Sequence, residues 1–200
     1  MEKAKLPIYD VEEDIARALL NDKNGSRLII EAPTGSGKST QLPQILINKK
    51  LISSGEIVIL QPRRVAARVL AKRVANEIGC RLGDVVGYQV RFEKEISKNT
   101  KIRFVTEGIL LRQFLVDPNL SEVGAIVFDE FHERHVQSDV ILAMALELQK
   151  KSRNDLKLIV MSATLSTSRI AKYLSPCSTV KCSGRTLPVT VKHLNANLKV

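Results

Sequence analysis

The residues best suited to chemistry stand in one stretch, Ala32-Pro33-Thr34-Gly35-Ser36-Gly37-Lys38-Ser39-Thr40, directly after the apolar run Leu28–Ile30. The spacing fits a phosphate-binding P-loop in which Ala32 replaces the first glycine. Small residues let the backbone wrap an anion so that successive N–H groups point at it. The helix pattern that follows, Gln41–Ile47, adds its N-terminal dipole. Lys38 can reach the β- and γ-phosphates of a nucleotide as a point charge, and Ser39 offers a hydroxyl to Mg²⁺. A chance glycine-rich turn ahead of a helix is the other reading, and the strand before and helix after weigh against it.

A second run, Gly124–Phe128, ends in Asp129-Glu130. Carboxylates at the C-terminal end of a parallel strand sit at the rim where such sheets bind ligands. Asp129 there can hold Mg²⁺ through water, and Glu130 can polarise an attacking water. Alone, the pair is equally a solvated strand end. Behind a P-loop the two roles become specific, because one carboxylate must face the metal and its neighbour the γ-phosphate.

These residues need a scaffold, and the remaining pattern supplies one. Five short, β-branched runs read as buried strands: Leu28–Ile30, Ile57–Leu60, Ile102–Val105, Ala125–Phe128 and Leu156–Met161. Helix-period stretches lie between them at Val11–Leu20, Val65–Ile78, Gly108–Val116 and Val140–Lys150. Weaker strands are expected at Thr179–Cys182 and Val189–His193. The alternation predicts an α/β fold, a mostly parallel sheet with helices on both faces. At 200 residues the chain suits one domain. It has no internal repeat, no internal linker and no apolar run near the ~18 residues of a membrane span. The N-terminus lacks the apolar region of a secretory signal. Three scattered cysteines exclude a disulfide framework and suit a reducing, cytoplasmic setting. The net charge of +10 fits an anionic partner such as nucleic acid, or equally a solvated basic surface. Eight Phe and Tyr residues and no Trp are too few for a base-stacking platform.

Further blocks sharpen the reading: Gln61-Pro-Arg63-Arg64-Val-Ala-Ala67, Thr106-Glu-Gly108-Ile-Leu110, Asp129-Glu130-Phe131-His132-Glu133-Arg134-His135 and Ser162-Ala163-Thr164. In this order, with GSGKST, they resemble the first RecA-like P-loop NTPase domain of the DEAH-box helicases of superfamily 2, most closely the bacterial HrpB type. The resemblance covers about Val11 to Val191. It implies that Thr34, Gly35, Ser36, Gly37, Lys38, Ser39 and Thr40 bind ATP, and that Ser39 and Asp129 hold Mg²⁺. It makes Glu130 the carboxylate that orients water, with Asp129, Lys38 and His132 completing the catalytic set. His132 would couple hydrolysis to movement, although a hydrogen-bonded structural histidine is the competing reading. Phe131 departs from the family's small alanine, and its ring must pack somewhere. Ser162 and Thr164 match the family's coupling motif, or else cap the following helix.

The resemblance also assigns a nucleic-acid face to Arg63, Arg64, Thr106 and Gly108. Guanidinium forks and hydroxyl or backbone donors suit phosphate oxygens. For each arginine a surface salt bridge is the alternative. Arg73 matches a position that can stack on adenine, or simply lies on a helix surface. The stretch Gly87–Phe92 reads as structural. Residues 1–195 are expected to form the ATP-binding domain, and 196–200 to begin a linker to a second RecA-like domain. The expected partners are single-stranded RNA or DNA and that second domain, with no membrane. Two other classes stay open: a P-loop kinase or small-molecule NTPase, and a nucleic-acid-binding module without hydrolysis.

Overall fold

The computed structural model describes residues 6–21, 26–163 and 167–184. Eight strands form one sheet: β1 Arg27–Glu31, β2 Glu56–Gln61, β3 Val86–Val90, β4 Glu93–Glu95, β5 Ile102–Thr106, β6 Val123–Phe128, β7 Lys157–Ser162 and β8 Ser178–Lys181. Their order is β4-β3-β5-β2-β6-β7-β1-β8. Every neighbouring pair is parallel except β3 with β4, which is antiparallel. Among the described residues six α-helices precede or connect them: α1 Glu12–Leu20, α2 Lys38–Asn48, α3 Arg64–Ile78, α4 Glu107–Val116, α5 Val136–Lys151 and α6 Thr167–Leu174.

The two-residue period of the strands divides the core. Leu28 and Ile30 of β1, Ile57 and Ile59 of β2, and Ala125 and Val127 of β6 face one apolar cluster with α1, α2 and α3. Ile29, Val58, Leu60, Ile126 and Phe128 face the other, with α4, α5 and α6. Both faces are therefore covered, which is why these runs are continuous rather than alternating. Each fully buried Ile, Leu or Val contributes about 1.5–3 kcal/mol relative to an exposed one.

Four of the five core strands contain the expected runs and are one or two residues longer, and the fifth, expected at Leu156–Met161, is shifted by one residue to Lys157–Ser162. The helix expected from Val11 is preceded by a 3₁₀ turn, Pro7–Val11, and the one expected from Val140 begins at Val136. The strand expected at Thr179–Cys182 is β8, one residue earlier at Ser178–Lys181, and Gly87–Phe92 contains most of β3. Val189–His193, Thr164 and residues 196–200 lie outside the described residues.

Topology concentrates the rim. Strands β2, β6, β7 and β1 are consecutive, so their C-terminal residues Gln61, Phe128, Ser162 and Glu31 stand side by side. The chain leaves β1 into the P-loop, and then α2 crosses over β7 and β6 to reach β2. That crossover opens the crevice in which α/β sheets bind ligands.

Candidate nucleotide site

The P-loop forms because its glycines can turn where other residues cannot. Gly35 has φ +79° and Gly37 φ +88°, left-handed values that favour glycine. Gly37 is also the N-cap of α2, so Lys38 begins the helix. Thr40 N–H donates back to the Gly37 carbonyl at 3.2 Å, whereas the Lys38 and Ser39 N–H groups, at the first two helical positions, have no carbonyl one turn back and face the loop's anion-binding end. Ser36 Oγ is buried and has no hydrogen-bond partner among the described residues. An orphaned hydroxyl within a loop of this shape fits a phosphate oxygen.

A pocket of about 190 Å³ opens over the loop, lined by Leu6, Thr34, Gly35, Gly37, Lys38, Ser39, Thr40, Arg73 and Glu130. Lys38 is only 3% exposed and pairs with Glu130, Nζ to Oε1 at 3.2 Å. Glu130 has φ +49° and ψ +36°. Such a conformation costs a residue with a side chain about 1–2 kcal/mol and turns the chain sharply after β6. Asp129 and Glu130 are thereby sent to different neighbours. Asp129 is buried and accepts from the Gln61 amide, from the Glu130 backbone N–H at 2.9 Å and from the Ser39 hydroxyl. Burial pushes the Asp129 carboxyl above its ordinary range, against the pull of Ser39, Gln61 and Lys38.

Mg²⁺ fits this donor set. Ser39 and Asp129 are hard oxygen ligands already in contact. Among the described residues no group of three His, Cys, Asp or Glu side chains could cage a metal. An ion here would complete its shell with phosphate and water, as Mg²⁺ commonly does.

His132 lies behind Glu130. Its Nδ1 is 3.4 Å from Glu130 Oε2 and 3.4 Å from the Ala163 backbone N–H, which donates to it. One ring nitrogen serves either partner but not both, because accepting requires it bare and donating requires it protonated. Phe131 is buried, edge-to-face with Phe128 at 5.8 Å, and Arg134 lies over its ring. The ring fills the core beneath the site.

Ser162 is buried at the end of β7, where its carbonyl accepts from Ala32 N–H at 3.0 Å. Thr106 is the N-cap of α4, and Gly108 is exposed with open space where a Cβ would stand. Arg63 and Arg64 are exposed at the start of α3; Arg63 bonds Glu133 at 3.1 Å and Arg64 the Arg91 carbonyl at 3.1 Å. The salt-bridge alternative is thus realised at Arg63 by an exposed pair, of a kind worth little. Arg73 lines the pocket over the P-loop and bonds Glu77.

Sequence reading passed over Gln61, although it stood within a quoted block, because its target is 68 residues away. It also missed the chain of Glu133, His135 and Glu107. His135 lies 3.3 Å from Glu107 and 3.5 Å from Glu133, and Ser138 donates to Glu107 at 2.6 Å. These contacts tie the Arg63, Thr106 and Asp129 blocks together.

The DEAD/DEAH box helicase family matches residues 10–173. The chain is 41% identical over 191 residues to "ATP-dependent RNA helicase HrpB" of Escherichia coli (strain K12). It is 40% identical over 191 residues to "ATP-dependent RNA helicase HrpA" of Borreliella burgdorferi. Each match covers 96% of this chain and 23% of the relative. Among solved structures, an Escherichia coli DEAH/RHA helicase HrpB matches with TM-score 0.86 and 42% identity, over 92% of this chain and 23% of that one. The chain therefore spans less than a quarter of the relatives it resembles.

Proposed function

The chain belongs to the DEAD/DEAH box helicase family, and from that premise we propose that it is the first, ATP-hydrolysing motor domain of an ATP-dependent RNA helicase. The observation that carries this reading is the convergence of Lys38, Ser39, Asp129 and Glu130 on one P-loop pocket. Residues Thr34 to Thr40 hold the phosphates. Lys38 exchanges its Glu130 partner for phosphate oxygens. Bound through Ser39 and Asp129, Mg²⁺ would neutralise charge on the β- and γ-phosphates. Glu130 orients the water that cleaves ATP to ADP and phosphate. The site works by positioning and electrostatics.

His132 is the coupling residue in this reading. Its Nδ1 moves between Glu130, which senses the γ-phosphate, and Ala163 of the Ser162-Ala163-Thr164 motif. Arg63, Arg64, Thr106 and Gly108 form the nucleic-acid face. Arg63 leaves Glu133 when a strand's phosphate offers a better partner. The relatives named as RNA helicases favour RNA over DNA.

Residues 1–195 constitute this motor domain, and 196–200 lead towards a second RecA-like domain that completes the cleft. The free thiols Cys80, Cys177 and Cys182 agree with a cytoplasmic protein. Among the described residues no helix is long and apolar enough to cross a membrane. Calorimetric titration of ATP with Mg²⁺ into this chain tests the reading. We expect binding that Lys38→Ala weakens by about 10–100-fold, the value of a charge-assisted hydrogen bond. Equal affinity in the variant would remove the basis for the assignment.

A further inference from the structure

One pocket-lining residue outside the phosphate cradle is held in place by a cluster that phosphate binding does not explain. Arg73 is exposed on α3 and lines the pocket. Its Nε donates to Glu77 Oε1 at 3.0 Å. Glu77 Oε2 accepts from Gln41 Nε2 at 2.7 Å and from Gln44 Nε2 at 2.9 Å. Gln41 in turn accepts from the Tyr9 hydroxyl and donates to Thr40 Oγ1 at 2.9 Å. The cluster therefore joins α3, the P-loop helix α2 and the 3₁₀ turn Pro7–Val11. That turn is fixed to the loop again, through Ile8 N–H donating to the Ser36 carbonyl at 3.1 Å.

The position of Glu77 makes poor sense for α3 alone. It stands in the last turn, one residue before the end at Ile78, where the helix dipole disfavours a carboxylate. Arg73 precedes it by four residues, the weaker order for such a pair. Yet burial of the carboxyl is outweighed by hydrogen bonds from Arg73, Gln41 and Gln44, which hold it below its usual range. Three donors from two helices converge on a residue that its own helix would rather not carry.

We propose that Glu77 is a positioning residue that fixes the Arg73 guanidinium over the pocket mouth, where the flat ring of a bound nucleobase stacks on it. Leu6 lines the same pocket and supplies an apolar surface. The base is thus gripped by stacking and apolar contact. Without Glu77, Arg73 is a free surface side chain that must lose rotamer entropy each time a base binds. The inference rests on the reading of this pocket as a nucleotide site.

The test separates base from phosphate. ATP and inorganic tripolyphosphate, each with Mg²⁺, are titrated calorimetrically into the wild-type chain, Glu77→Gln, Glu77→Asp, Arg73→Ala and the Arg73→Ala/Glu77→Gln double variant. Glu77→Gln should weaken ATP about three- to tenfold, the range of a partly exposed cation–π contact. It should leave tripolyphosphate within about twofold. The double variant should bind ATP no worse than Arg73→Ala, since non-additivity marks residues acting as one unit. Glu77→Asp, which keeps the charge on a shorter arm, should fall between wild type and Glu77→Gln. Unchanged ATP affinity in Glu77→Gln, an equal loss for tripolyphosphate, or additive losses in the double variant would overturn the positioning role alone. A wild-type chain that binds neither probe would overturn the nucleotide reading, and this inference with it.

Discussion

Replacing Glu130 by Gln should destabilise the free domain while tightening its hold on ATP. Lys38 is almost fully buried, and the nearest carboxylate oxygen, Glu130 Oε1, lies 3.2 Å away. At that distance and an effective dielectric of about 20 the gross attraction is about 5 kcal/mol. Glu130 is 24% exposed, and desolvating the pair cancels most of that gain. Asp129 keeps some compensation near Lys38. A net loss of about 1–2 kcal/mol follows for Glu130→Gln. For a chain of this size that lowers Tm by roughly 2–8 °C. ATP supplies the missing negative charge, and Lys38 no longer has to leave a partner to meet it. The same 1–2 kcal/mol should appear as about five- to thirtyfold tighter ATP binding. Turnover should fall steeply, because no carboxylate orients the water. Thermal melts with and without ATP–Mg²⁺, with titration calorimetry, measure both effects on the same samples. A variant as stable as wild type, with ATP affinity equal or weaker, would refute the competition between Glu130 and phosphate for Lys38.

Phe131→Ala, which restores the family's small residue, should cost about 3 kcal/mol through the cavity beside Phe128. Tm should drop by roughly 6–12 °C, with ATP affinity within about twofold by calorimetry. Arg63→Ala and Arg64→Ala should each weaken single-stranded RNA binding and reduce the slope of log K against log salt by about 0.7 per lost phosphate contact; an unchanged slope in fluorescence anisotropy would remove that arginine from the face. The Tyr88 hydroxyl donates to Glu93, and this hydrogen bond raises its pKa from 10.0 to about 12. Its folded pKa lies above its unfolded one, so its contribution is full below pH 10 and is lost as pH rises towards 12. Denaturant melts across that window should show a loss that is smaller in Tyr88→Phe.

The parts of the site that were legible in the sequence are those built from one continuous segment. The P-loop glycines declare their positive φ by being glycines, and Lys38 and Ser39 follow at fixed spacing. Asp129 and Glu130 were legible because an apolar strand ends on them. The two-sided burial of β1, β2 and β6 was legible as continuous β-branched runs. What the sequence hid depends on contacts between distant segments. Gln61 meets Asp129 only because β2 lies beside β6 in the sheet. Glu77 reads as an ordinary helix-surface charge until Gln41 and Gln44 are seen to donate to it. His135 gains its role from Glu107, which lies on another helix. Strand β4, three residues of Glu-Lys-Glu, carries no apolar pattern because it is an exposed antiparallel edge, where charges discourage further pairing.

The most direct test is ATP turnover by the full-length protein that carries this chain, with Mg²⁺, compared without nucleic acid and with single-stranded RNA or DNA at matched salt. We predict Mg²⁺-dependent hydrolysis that RNA stimulates more than DNA and that Lys38→Ala abolishes. Turnover indifferent to RNA but stimulated by a small-molecule phosphate acceptor, or no turnover at all, would contradict the assignment of a helicase motor.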